Sequence, residues 1–291
     1  MANPIKTRAA DLREHELFYP RELSWLSFNA RVLQEAADQG VPVIERLRYL
    51  GIFSNNSDEF FRVRVAEVRR LISVSSGTNR QHFKDLLAAI LESVVSLQKE
   101  FDRIYVQIMA ELAQRKIYLI NERQIDDGQA AFVQSYFSDK VLPELEPILL
   151  GEGRAIPALN DESLYLAVDI RSGEDYNYAV VEVPTDRLDR FVEIPRRKGK
   201  GGKVFIVLDN IMRACLPQMF RGVIPIDEAN AYCFKFSRDA ELEIDAGISE
   251  SLINKMTMSL KQRRKADAVR MVYDETMPGR LLDYICYRFG F

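Results

Sequence analysis

Apolar positions recur along this chain in two rhythms, and the rhythm changes near residue 117. From Arg21 to about Arg115 the spacing is helical. Trp25, Phe28, Val32 and Ala36 fall three or four residues apart, so one helical face carries all four. Gly40 and Pro42 end that helix. The pattern predicts a second helix over 43–52 and a third over 57–73. After the turn "SSGTNR" it predicts a long helix over 81–115, a stretch without glycine or proline. There Leu87, Ile90, Val94, Leu97, Phe101, Ile104 and Ile108 alternate steps of three and four, as the seam of a bundle helix does.

Beyond Lys116, β-rich runs take over: "IYLI" at 117–120, "SLYLAVDI" at 163–170, "YNYAVVEV" at 176–183, "RFVEI" at 190–194 and "KVFIVL" at 203–208. Gly, Pro, Asp and Asn clusters separate them. Helical patterns follow over 209–220 and 248–264, then a strand over 268–274 and an amphipathic end, "LLDYICYRFGF". The fold class expected is α+β overall: an all-α N-terminal helical bundle with one long helix, then a mixed α+β domain. Residues 1–17 read as a flexible leader, 18–116 as the helical domain and 117–291 as the α+β domain. A stop inside a helical pattern points to truncation of that domain at its C-terminal end.

Composition narrows the function classes. Of 291 residues, 47% are hydrophobic, enough for real cores, and 29% are charged with both signs mixed. The formal net charge of -3 argues against a surface devoted to nucleic acid. Cys215, Cys233 and Cys286 are odd in number and form no C-x-x-C pair, which fits a reducing compartment. No apolar run is long enough to span a bilayer, and the N-terminus lacks a signal-peptide core. The location expected is cytoplasmic, with peripheral membrane association left open.

Phosphate-binding fingerprints fail on inspection. "GEGRAI" has Ile156 where a dinucleotide loop needs its third glycine; "GKGGKV" has Arg197 and Val204 where a P-loop needs glycine and a hydroxyl. His15 and His82 have no Asp, Glu or Cys partner at ligand or triad spacing. Two basic clusters remain. Arg196, Arg197, Lys198, Lys200 and Lys203 sit in a glycine-rich loop and read first as solvated cations. Lys261, Arg263, Arg264 and Lys265 read first as complementing a helix C-terminus. Either cluster could instead guide a polyanion.

One polar run, "SNNSDEF" at 54–60, interrupts the helical region. It predicts a helix joint: Asn56 or Ser57 as N-cap, Glu59 as capping-box partner of Asn56, and two acids at the positive end of the dipole. A cap needs only one such side chain, and an amide both donates and accepts. Contact of one asparagine with the edge of a purine is therefore a second reading.

These residues resemble a known family. "ELSWLSFNARVLQEA" at 22–36 and "SNNSDEF" at 54–60 are similar to two hallmark runs of the bacterial type 1 polyphosphate kinases. "INERQ" at 120–124, "LYLAV" at 164–168, "SLKQR" at 259–263 and "VRMVYDETMP" at 269–278 extend the resemblance over nearly the whole chain. It implies reversible transfer of the terminal phosphate of ATP to inorganic polyphosphate through a phosphohistidine, with Mg2+ nearby and ATP/ADP as substrate. It also implies an N-terminal helical domain on the adenine side of the nucleotide, a head domain used in dimerisation or higher homo-oligomers, and two phospholipase D-like domains carrying the catalytic histidines. Those last two domains have no counterpart here, so no catalytic and no metal residue is assigned in this chain, and it is expected to be inactive alone. One residue carries over: the second asparagine of S-N-N-x-D-E-F, here Asn56, is implied to contact ATP, while Asn55 stays punctuation. The alternative is a non-catalytic interaction or dimerisation module without a ligand role. Nucleic-acid binding through the 196–203 loop is weaker still, because that loop carries no interleaved aromatics.

Overall fold

A computed structural model describes residues 19–151, 159–161, 163–196, 201–239 and 268–290. The leader, His15, "GEGRAI" beyond Gly151, residues 197–200 of the basic loop, the helix expected over 248–264 and the basic cluster within 261–265 lie outside the described residues. By contacts the chain forms two compact units. The first holds the chain through Phe60 together with Glu67–Ile108, and the second holds Phe61–Ala66 and everything from Met109 onward.

The helical unit is built on α1 (Arg21–Ala37), α2 (Val43–Phe60), α3 (Ala66–Val74) and α4 (Gly77–Gln114). The buried stripe of α1 is Leu26, Asn29, Leu33 and Ala36, one residue out of phase with the face expected from apolar spacing. Phe28, counted on that face, is 60% exposed. The stripe was displaced because a polar residue, Asn29, occupies one of its positions and apolar counting passes over it. At the end of α1 the buried Arg46 donates from Nε to the Ala36 carbonyl at 2.7 Å. A cation thus meets a helix C-terminal carbonyl, where both the dipole and the orphan acceptor favour it.

The joint expected within "SNNSDEF" is absent. Helix α2 runs unbroken through it to Phe60, and a π-helical turn, Phe61–Val65, leads straight into α3. Neither Asn56 nor Ser57 caps a helix. The polar run survives inside the helix because its hydroxyl and amide find partners there: Ser57 Oγ donates to the Phe53 carbonyl one turn back at 2.8 Å, and Asn29 meets the same turn from α1. Trp25 stacks on Phe60 at 4.7 Å, closing the α1–α2 interface at that end. The seam expected on the long helix holds. Ile90, Ile104 and Ile108 are fully buried, and Phe101 packs on Phe53 at 5.7 Å.

The second unit contains β1 (Ile117–Ile120), α5 (Asp127–Tyr136), β2 (Ile148–Leu150), β3 (Tyr165–Ser172), β4 (Asp175–Glu182), β5 (Phe191–Ile194), β6 (Lys203–Val207), α6 (Leu208–Ala214), α7 (Leu216–Met219), β7 (Glu228–Arg238), β8 (Ala268–Tyr273) and α8 (Gly279–Phe289). An antiparallel sheet has the order β2-β4-β3-β7-β8; a smaller one, β1-β6-β5, pairs β1 with β6 in parallel. Side-chain alternation splits the large sheet between two cores. Leu166, Val168 and Ile170 join Ala179 and Val181 in a core shared with α6 and the small sheet. Tyr165, Ala167, Val180, Phe234 and Phe236 face Leu281 and Ile285 of α8. The α+β reading is therefore right, and the helical region precedes the sheets as expected.

Gly202 is the one glycine among the described residues of the "GKGGK" run that its backbone requires. Its φ is +110°, and a Cβ there would lie 2.2 Å from the Lys116 carbonyl. Next to it, Lys203 N donates to that carbonyl at 2.8 Å and opens the β1–β6 pairing. At that position the glycine serves backbone approach.

Candidate functional site

In the helical unit the candidate site is an amide cluster set between α1 and α2. Asn29 is fully buried. Its Nδ2 donates to the Phe53 carbonyl at 3.3 Å and to Ser57 Oγ at 3.2 Å, and its Oδ1 accepts from Asn56 Nδ2 at 3.0 Å. Asn56 is half-buried, whereas Asn55 is exposed. The two asparagines that look alike in sequence therefore differ in kind, as a 100° step around a helix requires. At the start of α1, Arg21 donates to Glu22 at 2.8 Å and to both carboxylate oxygens of Glu67 at 2.8 Å. The sequence pattern does not mark Asn29 as a site residue. The signal available was an asparagine at three-and-four spacing from Leu26, Leu33 and Ala36, a buried polar group in need of partners.

Two polar cavities lie among the described residues of the second unit. One, of about 460 Å³, is lined by Arg123, Asn210, Arg213, Asn230, Asp274 and Thr276 among others. Arg213 is saturated there: it donates to the Ala231 carbonyl at 3.0 Å, to Asn210 at 2.7 Å, and to Asp209, Cys233 and Asp274 at 3.0–3.4 Å. Burial first, and then Asp209, pushes the Cys233 thiol up to about 12, so it is held as a thiol rather than a nucleophile. A smaller cavity, about 230 Å³, includes Asp169, Tyr176 and Arg280. Arg280 bonds Asp169 at 2.5 Å and lies over the Tyr176 ring at 3.8 Å, tying α8 to the sheet. Hydrogen bonds to Tyr176 and then Asp169 raise its pKa further.

Neither cavity assembles a nucleophile with a base. His82 is exposed near the start of α4, edge-on to Phe83 at 5.5 Å. Among the described residues no three His, Cys, Asp or Glu side chains are grouped to hold a metal ion. At the ends of the basic loop that are described, Arg196 is exposed and Lys203 pairs with Glu193 at 3.3 Å.

Two family models match the chain in order: the polyphosphate kinase N-terminal domain over residues 18–120 and the polyphosphate kinase middle domain over 128–291. The chain belongs to the polyphosphate kinase family. The polyphosphate kinase of Vibrio cholerae is 45% identical over 275 residues, covering 94% of this chain and 39% of the relative. That of Escherichia coli K12 is 42% identical over 275 residues, covering 94% and 40%. The crystal structure of the polyphosphate kinase from Porphyromonas gingivalis superposes with a TM-score of 0.75 at 33% identity, over 94% of this chain and 38% of that one. The chain thus spans about two fifths of the length of the polyphosphate kinases it matches. Among the described residues no helix is long and apolar enough to cross a membrane.

Proposed function

We propose that this chain forms the N-terminal and middle part of an enzyme that reversibly transfers the terminal phosphate of ATP to inorganic polyphosphate through a phosphohistidine. In this reading the helical unit supplies nucleotide contact through Asn56, and the α+β unit supplies a surface for homodimers or larger homo-oligomers. The nucleophile and the magnesium ligands lie on parts of the enzyme other than these residues. The observation that carries the reading is the ordered match of two polyphosphate kinase family models across nearly the whole chain. For the site itself, the support is that Asn56 is half-buried, held at one end by Asn29, and has Oδ1 and a second amide hydrogen left for a ligand.

Substitution of Asn56 tests the site. In the full-length enzyme, Asn56→Ala should raise KM for ATP by about threefold to tenfold, the worth of one hydrogen bond, and should lower thermal stability modestly because Asn29 Oδ1 loses its partner. An unchanged KM would leave Asn56 a purely structural residue. The 291 residues alone should transfer no phosphate from ATP to polyphosphate; turnover by the purified chain would place the catalytic groups within it.

A further inference from the structure

Two amides in contact can be arranged either way round, and the side chains alone do not decide which. Here a main-chain atom decides. The Phe53 carbonyl can only accept, so the Asn29 atom 3.3 Å from it must be the nitrogen. The same nitrogen donates to Ser57 Oγ at 3.2 Å, and the Ser57 proton goes to the Phe53 carbonyl at 2.8 Å. With the nitrogen of Asn29 engaged on α2, Oδ1 is the group left for Asn56. Asn56 answers it with Nδ2 at 3.0 Å. That leaves the Asn56 oxygen as the acceptor available to a ligand. Reversing Asn56 would set two oxygens against each other beside a fully buried residue.

We propose that Asn29, held by Ser57 and the Phe53 carbonyl, is a positioning residue that sets the sense of the Asn56 amide. The site thereby selects a base with an exocyclic amine donor, adenine, over its 6-keto counterpart. With Oδ1 accepting from N6 and the remaining Nδ2 hydrogen donating to N7, an amide that cannot turn round rewards the N6 amine and sets oxygen against oxygen at a 6-keto group. The inference rests on the reading of Asn56 as a nucleotide contact.

The test is the ratio of kcat/KM for ATP to that for ITP in the full-length enzyme, measured for the native protein, Asn29→Ala, Asn56→Ala, the double variant and Ser57→Ala. Freed from Asn29, Asn56 can rotate to suit either base, so Asn29→Ala lowers the ratio by about threefold to tenfold. In the Asn56→Ala background the same change moves it by less than about twofold, because the effect passes through Asn56. Ser57→Ala, a milder loss, lowers the ratio in the same direction and decides the matter should Asn29→Ala fail to fold. A loss of stability alone would not move this ratio. The inference is overturned if Asn56→Ala lowers the ratio while Asn29→Ala and Ser57→Ala leave it unchanged, or if the Asn29 effect persists in full without Asn56. If Asn56→Ala changes neither KM for ATP nor the ratio, the underlying nucleotide reading has failed instead.

Discussion

A buried asparagine destabilises a fold unless its polar atoms are met, and Asn29 finds three partners with both of its polar atoms. The family resemblance singles out Asn56, whereas Asn29 lies in a hallmark run without an assigned role, because its contacts depend on which carbonyl of another helix it meets. No spacing along one helix encodes that. The cysteines make a similar point about context. Burial pushes Cys215 from 9.0 to about 11 and Cys233 from 9.0 to about 12. Both groups are raised on folding, so their stabilising contribution is whole below about pH 9. It is lost as pH rises toward 11–12, where the unfolded chain has shed protons that the folded chain keeps. Denaturant midpoints at about pH 8 and about pH 10.5 should therefore fall more in the native protein than in Cys233→Ala. Equal falls would mean that Cys233 is more accessible than its packing indicates.

At the scale of elements, periodicity located most helices and strands but misplaced their punctuation. The expected capping box at Asn56 and Glu59 does not exist. Two others do, at Asn121 with Gln124 and at Asp126 with Gln129, and the second opens α5, a helix that spacing alone did not reveal. Short amphipathic helices offer too few turns for periodicity, so the cap is the stronger signal there. Asp126→Ala should cost about 1 kcal/mol, read as a lowered denaturant midpoint. Nor does the pattern reveal β7, the longest strand among the described residues. Its residues contribute to both cores, and it buries Ser237 and Arg238, so it shows neither clean alternation nor a continuous apolar run. The smaller sheet depends on one residue without a side chain. Gly202→Ala should destabilise the protein by about 2 kcal/mol or more, through both its φ and the clash with Lys116, and should be visible as a clear drop in Tm. A Tm within experimental error of the native value would show that the β1–β6 junction can move aside.

At the scale of the whole chain, the two compact units do not follow one another as two uninterrupted stretches. Phe61–Ala66 belongs by contacts with the later unit although its flanks belong with the earlier one. Within the later unit, the π-helical turn lies against β7 and β8, with Arg270 over the Phe61 ring at 4.8 Å. A chimera of two related polyphosphate kinases joined after Ile108 should therefore melt higher when residues 61–66 come from the same parent as 109–291. Equal melting temperatures would show that the turn contributes little to the later unit. Such an arrangement also bears on inheritance. Wherever one genetic crossover falls along these 291 residues, at least one unit becomes a mosaic of both parents. The two units can be reshuffled intact only by three exchanges, after residues 60, 66 and 108, so descent should tend to carry them together.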